Sequence, residues 1–264
     1  MFEPTHSLLR ALRCLRAMLA LAGLLALAVV WVRVPAHSRM RRALPVAGWR
    51  LLLAGFGIRI RYHGAPADPA GALIVANHVS WTDIMVLGRL LDAGFIAKAE
   101  IAGWPVLGAL AQRYGCLFIA RERRTAAHAL ASEMHDYPQG AGLVLFAEGT
   151  TGLGDSVLPF NSGLFATGPR WPCVQPVTIA YRRADGSALS AQMQRRIAWI
   201  GDDALLPHAL ALAASGRIVA EVWFEPSFVP ENRKHAALVS RQLIADRLAG
   251  LAMEDQAAAL KRAA

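Results

Sequence analysis

The sequence predicts an α/β protein: a mixed, largely parallel sheet flanked by helices, preceded by an apolar helical membrane anchor. From about residue 58 onward, short runs of buried-strand character alternate with helix-like stretches, which is typical of a sheet covered on both faces. Before that point the chain is apolar, and its apolar runs are bracketed by arginines. Hydrophobic residues make up 55% of the 264 residues and the mean hydropathy is +0.34, which favours contact with a membrane.

The first 60 residues are predicted to anchor the chain in a membrane. Arginines lead into residues 17–32, which carry no charge. A helix over this run covers about 24 Å, short of the roughly 30 Å hydrocarbon core, so a span needs the flanking residues as well. A second apolar segment, residues 51–58, follows a basic turn, so a hairpin within one leaflet also fits the sequence. A cleaved signal peptide fits poorly, because no small-residue cleavage site precedes Arg33.

Alternating patterns place the remaining elements. The predicted strands are residues 58–62, 72–76, 95–97, 116–120, 143–146, 174–180, 197–200 and 218–224. The predicted helices are residues 82–91, 106–114 and 123–137, and leucines separated by charges predict a closing amphipathic helix at the C-terminus. We therefore expect membrane-anchoring helices at residues 1–60, an α/β domain at residues 61–230 and an amphipathic helix at residues 231–264.

Charge and cysteine content limit the partners of this chain. The formal net charge is +9, and all but three of the 28 basic residues are arginines. Such a surface suits anionic lipid, nucleic acid or an acidic carrier protein. Cys14, Cys116 and Cys173 are odd in number and widely spaced, so they predict neither a disulfide framework nor a metal site. We expect reduced thiols in a chain that faces the cytoplasm.

The most suggestive polar residues follow the predicted strand 72–76. His78 follows the end of this strand and Asp83 comes five residues after it. Residues five apart on one helix are turned by about 140°, so the two can face each other only if His78 precedes the helix and Asp83 lies in its first turn. The capping-box spacing of Ser80 and Asp83 favours that arrangement and starts the helix at Trp81. A simpler interpretation also fits: Asp83 stabilises the helix start, and His78 merely closes a strand.

Three other predicted strands end at charged residues: Lys98, Arg121 and Glu148. Arg121 near a helix N-terminus opposes the helix dipole unless an anion binds there. Glu148 directly after a buried strand is costly unless it is paired or functional, while Gly149 permits close approach and Thr150 offers a hydroxyl. Together with His78 and Asp83, these groups suit a ligand that carries a phosphate and a free alcohol.

Each of these signals also has an ordinary structural explanation. Glu122 and solvent screening could compensate Arg121, and Glu100 could pair with Lys98. Glu148 and Gly149 could form a solvated glycine turn. These alternatives stand as long as each strand end is considered by itself.

Four blocks of residues, in order, make the sequence resemble the membrane-bound glycerolipid acyltransferases of the lysophosphatidic acid acyltransferase type. The blocks are Asn-His-Val-Ser-Trp-Thr-Asp at 77–83, Gly-Cys-Leu-Phe-Ile-Ala-Arg at 115–121, Phe-Ala-Glu-Gly-Thr-Thr at 146–151 and Val-Gln-Pro-Val at 174–177. They lie within about residues 70–180, and apolar helices precede them. In the first block four residues separate the His from the Asp, as in the family.

The third block departs from the commoner family pattern. The family more often has Pro in place of Ala147 and Arg in place of Thr151. This form, together with Lys98-Ala-Glu100, is similar to a subgroup that includes bacterial lyso-ornithine lipid acyltransferases. Their acceptors carry a hydroxyl but no phosphate.

The resemblance implies the glycerolipid acyltransferase fold and transfer of a fatty acyl group from an acyl thioester to the hydroxyl of a lysophospholipid. The first expected acceptor is 1-acylglycerol-3-phosphate, giving phosphatidic acid, and lyso-ornithine lipid is the alternative. His78 would deprotonate the hydroxyl, and Asp83 would orient the imidazole. The residues implied in substrate binding are Lys98, Arg121, Glu148, Gly149 and Thr150.

The resemblance also implies that no metal or cofactor is needed, with acyl-CoA or an acidic acyl carrier protein as co-substrate. The expected partners are a membrane lysolipid and an anionic membrane surface, at the cytoplasmic face of a bacterial inner membrane. Two other classes are possible. A thioester hydrolase could use His78 and Asp83 to activate water, or Ser80 as a nucleophile, but a Gly-x-Ser-x-Gly elbow is missing. A non-catalytic basic binder is disfavoured, because no aromatic-plus-basic motif for nucleic acid occurs.

Overall fold

A seven-stranded sheet organises the structure. The computed structural model describes residues 4–35, 37–68, 72–119, 126–138, 141–165 and 171–263, and within these ranges the strand order is β1-β7-β6-β2-β5-β3-β4. The strands are β1 (Ile58–His63), β2 (Ala72–Ala76), β3 (Ala93–Lys98), β4 (Leu117–Ile119), β5 (Gly142–Phe146), β6 (Cys173–Arg182) and β7 (Ile218–Phe224). The helices are α1 (Pro4–Trp31), α2 (Met40–Phe56), α3 (Thr82–Leu90), α4 (Ala99–Ala102), α5 (Leu107–Tyr114), α6 (Ala126–His135), α7 (Ala191–Ile197), α8 (Leu205–Ser215) and α9 (Arg233–Ala263), with one 3₁₀ turn at Ser162–Leu164.

The sheet is mixed but mostly parallel. Every neighbouring pair of strands is parallel except β6 and β7, which are antiparallel. Strands β2, β5, β3 and β4 therefore all end at the same edge of the sheet. The predicted fold class, a mixed and largely parallel sheet flanked by helices, is confirmed.

Apolar side chains cover both faces of the sheet, which explains why its central strands are continuously hydrophobic. In β2, Ile74 and Ala76 pack with α2 and α3, whereas Leu73 and Val75 pack on the opposite face. Helices α6 and α9 supply buried residues to that second face. Because both faces are buried, the strand shows no polar alternation, as expected for parallel sheets.

One predicted strand is wrong. Residues 197–200 were expected to be a strand, but α7 ends at Ile197 and irregular chain follows. The hydroxyl of Ser190 accepts a hydrogen bond from the Met193 amide at 3.3 Å and so caps the start of α7. An apolar run this short does not distinguish a strand from the buried end of a helix. Helix α8, over Leu205–Ser215, had no counterpart among the sequence predictions.

Helix α1 packs against α2 and α8, and α2 packs in turn against α3 and β1. A side chain added at Gly55 on α2 would meet the Cβ of Ala20 on α1 at 2.4 Å, so the two helices approach closely there. Over Ser7–Trp31, α1 is long and apolar enough to cross a membrane, as judged by length and composition alone. Its other side is exposed and apolar, with exposed residues that include Leu8, Leu12, Leu15, Met18, Leu19, Leu25 and Val29.

Substitution of Gly55 tests this helix contact. Gly55→Ala should lower the free energy of unfolding by about 1–3 kcal/mol, because the new methyl group overpacks the contact with Ala20. Gly250→Ala is the matched control: no atom of the described residues lies within 4 Å of the added methyl group on α9. Helix propensity should therefore stabilise this variant by roughly 0.5–1 kcal/mol. Thermal unfolding in detergent measures both, and equal effects would contradict the tight contact between α1 and α2.

Candidate active site

The structure brings His78 and Asp83 together. His78 lies in the loop between β2 and α3, and Asp83 lies in the first turn of α3. The Nδ1 atom of His78 is 2.8 Å from Oδ2 of Asp83. The Asp83 side chain is fully buried, whereas that of His78 is 13% exposed. The pair therefore sits at the carboxyl edge of the sheet, with only the imidazole reaching solvent.

The carboxylate of Asp83 is saturated with hydrogen bonds. Besides the imidazole, Oδ2 accepts the backbone amides of Val79 at 2.7 Å and Ser80 at 2.9 Å. Oδ1 accepts the Tyr181 hydroxyl at 2.7 Å. A buried carboxylate needs such donors to remain ionised. Since Asp83 accepts, Nδ1 of His78 donates, and in the neutral imidazole the lone pair lies on Nε2.

The predicted capping box is only half formed. The Ser80 amide does bond to the Asp83 carboxylate, but the Ser80 hydroxyl is buried and has no hydrogen-bond partner among the described residues. Helix α3 begins at Thr82, where the predicted helix 82–91 begins, and one residue later than the capping-box spacing indicated. The carboxylate is therefore shared between the helix start and His78.

Tyr181 is a site residue that the sequence did not reveal. It lies on β6, and its hydroxyl donates to Asp83, so its oxygen accepts the Thr82 hydroxyl at 2.6 Å. Burial, together with the charge of Asp83, raises the pKa of Tyr181 well above its ordinary value, which keeps the phenol a neutral donor. The two residues are 98 positions apart along the chain, and an apolar strand gave no sign of the contact.

Asn77 fixes the point at which the chain leaves the sheet. Its side-chain amide donates to the Ile179 carbonyl at 2.9 Å and accepts the Ile179 amide at 2.8 Å. The ladder between β2 and β6 ends one residue earlier, at Ala76 and Val177. Asn77 thus continues the ladder through its side chain and orients the next residue, His78.

The imidazole of His78 lies flat against Phe146, the last residue of β5. The ring centroids are 4.0 Å apart and the planes differ by 15°. Within the described part of the chain, no group hydrogen-bonds to Nε2 of His78. One ring nitrogen is therefore fixed by Asp83, one face is covered by Phe146, and Nε2 makes no hydrogen bond within the described residues.

Glu148 holds the backbone of this loop. Oε1 accepts the His78 amide at 2.8 Å and Oε2 accepts the Leu158 amide at 3.0 Å. Burial raises the pKa of Glu148 to about 7, although both backbone hydrogen bonds act in the opposite direction. Gly149 follows with a φ of +71°, a left-handed conformation that favours glycine. Both carboxylate oxygens of Glu148 already accept backbone amides. The role in acceptor binding predicted for Glu148 and Gly149 stays a prediction.

Of the other residues predicted to bind substrate, two are exposed and one lies outside the described residues. Lys98 is exposed at the end of β3, two strands from β2 and hence about 10 Å away along the same edge. Thr150 is exposed next to Gly149. Arg121 lies outside the described residues. Thr151 stands at the position where the family more often has an arginine. Its hydroxyl donates to the Trp199 carbonyl.

The described residues contain no group of three or more His, Cys, Asp and Glu side chains placed to hold a metal ion. What they do contain is a base-like imidazole with a buried carboxylate partner, at the carboxyl edge of a parallel sheet. Such an arrangement defines an α/β protein able to take a proton from a bound hydroxyl or water.

The chain belongs to the acyltransferase family: residues 59–179 match the family model described as Acyltransferase. It is 38% identical over 208 residues to a lyso-ornithine lipid O-acyltransferase of Brucella abortus (strain 2308), covering 75% of this chain and 78% of that protein. It is 36% identical over 129 residues to a 1-acyl-sn-glycerol-3-phosphate acyltransferase of Neisseria gonorrhoeae, covering 48% of this chain and 50% of that one.

The fold is similar to the crystal structure of PlsC, the 1-acyl-sn-glycerophosphate acyltransferase of Thermotoga maritima. The TM-score is 0.65 at 14% identity, over 93% of this chain and 97% of that chain. The resemblance carried by the four sequence blocks is confirmed, and with it the enzyme class of acyltransferase.

Replacing Glu148 should change how stability depends on pH. Burial holds its folded pKa at about 7, above the ordinary 4.5, so between these values the folded state binds more protons than the unfolded state. The contribution of Glu148 to the unfolding free energy therefore falls as pH rises through this window. Glu148→Gln cannot titrate, so the melting-temperature advantage of the wild type over this variant should shrink between about pH 5 and pH 8.

Thermal unfolding at a series of pH values measures this difference. Glu133→Gln, an exposed position on α6, is the control and should follow the wild type at every pH. A gap between wild type and Glu148→Gln that stays constant with pH would show that burial does not shift the titration of Glu148.

Proposed function

We propose that this protein is an O-acyltransferase that moves a fatty acyl group from an acyl thioester to the free hydroxyl of a lysolipid, with His78 as general base. The observation that carries the proposal is the imidazole itself. Nδ1 is fixed at 2.8 Å from a buried carboxylate, and Nε2 is free of protein partners among the described residues. The relatives given above are all named as acyltransferases of lysolipids, and these names support the proposed reaction.

The reaction follows from this geometry. Nε2 of His78 takes the proton of the acceptor hydroxyl as its oxygen attacks the thioester carbonyl. Asp83 stabilises the imidazolium that forms. The tetrahedral intermediate then collapses with loss of the thiolate, which takes the proton back from the imidazolium. A thiol has a pKa of about 8.5, so this leaving group needs no strong general acid.

Other groups at the edge would bind the substrates. Backbone amides and Lys98 would stabilise the oxyanion. Glu148, Gly149 and Thr150 would position the polar part of the acceptor, and Arg121 would bind a phosphate of the acceptor or of the acyl donor. Either acyl-CoA or an acidic acyl carrier protein suits the basic chain as the donor.

Two acceptors are supported by different observations. Two relatives named as lyso-ornithine lipid O-acyltransferases match 75% and 88% of this chain. In addition, Thr151 stands where an arginine is commoner in the phosphate-acceptor pattern. The Neisseria relatives, named for 1-acyl-sn-glycerol-3-phosphate, match 48% and 49% of it. We infer that lyso-ornithine lipid is the better acceptor, and that 1-acylglycerol-3-phosphate, giving phosphatidic acid, is the competing one.

The exposed apolar side of α1 supports a membrane location for this reaction. Both substrates carry fatty acyl chains, so a site at the membrane interface would meet them where they reside. The arginines around the apolar run suit an anionic membrane surface. We place the protein at the inner membrane of a bacterium, with the active site on the cytoplasmic face.

His78→Ala should lower acyl transfer by roughly 10²–10⁴-fold, the usual contribution of a general base. The assay supplies membranes carrying the protein with a labelled acyl thioester and either lyso-ornithine lipid, 1-acylglycerol-3-phosphate or no acceptor. Label should appear in the acylated lipid only when an acceptor is present. His235→Ala replaces a histidine far along the chain, on α9, and should keep wild-type activity.

Three results would contradict the proposal. Fatty acid released equally without acceptor would indicate a thioester hydrolase. Wild-type activity in His78→Ala would exclude this residue as the base. An absence of turnover with every acceptor would exclude lysolipid acyl transfer.

Tyr181→Phe should lower kcat by roughly 10-fold with little change in KM, because Oδ1 of buried Asp83 loses a hydrogen bond to a charged group. The phenyl ring keeps the packing, and Tyr181 does not touch the substrate in this proposal. Thr82→Val removes only the hydroxyl that donates to Tyr181, and it should have a smaller effect on kcat. Steady-state kinetics with both variants measures this, and a rise in KM alone would contradict a positioning role for Tyr181.

A further inference from the structure

Apart from the candidate active site, the structure contains a groove of about 680 Å³ that is rich in arginine. Residues of α2, α3 and the edge strand β1 form most of its walls. The arginines that line it come from five different elements or their ends: Arg16, Arg50, Arg59, Arg89 and Arg217. Among the described residues that line the groove there is no Asp or Glu. The volume lies in the range typical of small-molecule sites.

These five guanidinium groups have no carboxylate partner within the described ranges. Other arginines of the chain do form salt bridges: Arg42, Arg61, Arg182, Arg195 and Arg247. Of the groove arginines, Arg16 donates to the Gly55 carbonyl at 3.0 Å, which fixes its position without neutralising its charge. Like charges gathered in one groove repel each other, and a bound anion relieves that repulsion.

The groove also has an apolar floor. Leu53 and Ile58 are each 4% exposed, and Phe224 is 8% exposed, whereas Arg50 and Arg217 are exposed at the rim. A free inorganic anion would gain nothing from buried apolar walls. Charged rim and apolar floor together suit an amphipathic anion, with a phosphate near the guanidinium groups and a hydrocarbon chain below them.

The position of the groove relative to α1 indicates the source of such a ligand. Arg16 comes from α1, directly before the uncharged residues 17–32. If α1 is embedded in the membrane, as proposed above, Arg16 lies at the level of the lipid headgroups, and the groove opens there. Phospholipids with a net negative charge supply both the phosphate and the acyl chain at this level.

The groove is distinct from the site of the proposed reaction. His78, Asp83 and Glu148 are not among its lining residues. Helix α3 connects the two places: Asp83 lies in its first turn and Arg89 in its last, about 9 Å apart along the helix axis. We propose that this groove binds the headgroup and the adjoining acyl chain of one anionic phospholipid, separately from the lysolipid that is acylated.

Native mass spectrometry of the full-length protein in detergent tests this proposal. With phosphatidylglycerol and phosphatidylcholine offered in equal amounts, the wild type should retain one phosphatidylglycerol in preference to phosphatidylcholine. Arg50→Gln with Arg89→Gln removes a charge from α2 and one from α3. This double variant should bind phosphatidylglycerol about 30-fold more weakly, from the contribution typical of two basic residues at a membrane surface.

Two further variants separate the site from general charge effects. Arg183→Gln with Arg233→Gln makes the same change in net charge at exposed positions outside the groove, and it should bind phosphatidylglycerol as the wild type does. Arg50→Lys with Arg89→Lys keeps the charges and should restore most of the binding. Circular dichroism confirms that each variant is folded.

Three results would overturn the proposal. Equal losses in the groove variant and the control variant would show unspecific attraction, and equal retention of phosphatidylcholine would exclude recognition of charge. Displacement of phosphatidylglycerol by coenzyme A, with the same loss in the groove variant, would assign the groove to the phosphates of an acyl donor. No acyl thioester is present in this measurement, so its outcome is independent of whether the acyl transfer assay succeeds.

Discussion

The buried carboxylate of Asp83 is the constraint on which the site depends. A charge in this position is costly unless several donors compensate it, and four donors do so: the imidazole of His78, two backbone amides and the Tyr181 hydroxyl. Those donors come from the loop after β2 and from β6. These four hydrogen bonds therefore require that loop and strand stay in register, and the same register orients His78.

The backbone around His78 shows how completely this loop is held. The His78 amide bonds to Glu148, and its carbonyl accepts the Gly152 amide. The Val79 and Ser80 amides bond to Asp83, while their carbonyls accept the amides of Trp199 and of Asp83 itself. All six backbone groups of residues 78–80 are thus satisfied without secondary structure. A loop that is saturated in this way pays its ordering entropy on folding, so the imidazole is already positioned before substrate binds.

Much of the fold could be predicted because its signals are local. Strands such as β2 and β7 are apolar runs with clear boundaries, and the polar residues at their ends identify the active edge once the strands are known to be parallel. The contact between His78 and Asp83 was foreseeable for the same reason, since both residues lie within one turn-and-helix unit. The wrong strand at residues 197–200 shows the limit of that approach, because a short apolar run is ambiguous.

The partners of this local unit could not be predicted, because they depend on strand order. Tyr181 reaches Asp83, and Asn77 reaches Ile179, only because β6 lies beside β2. Nothing in β6 marks Tyr181 as different from a core residue. The role of Glu148 could not be predicted either. Its place in the sequence predicts a contact with the substrate, whereas in the structure its carboxylate accepts the His78 amide.

Helix α3 connects the candidate active site with the arginine-lined groove. Its first turn holds the Asp83 carboxylate, which orients the imidazole of His78, the proposed base. Its last turn reaches a groove whose guanidinium groups and apolar floor match an anionic lipid. Between them the helix buries Met85, Val86 and Leu87 against the sheet, and this packing fixes its position. A lipid bound at one end would therefore fix how the other end, with its base, faces the membrane.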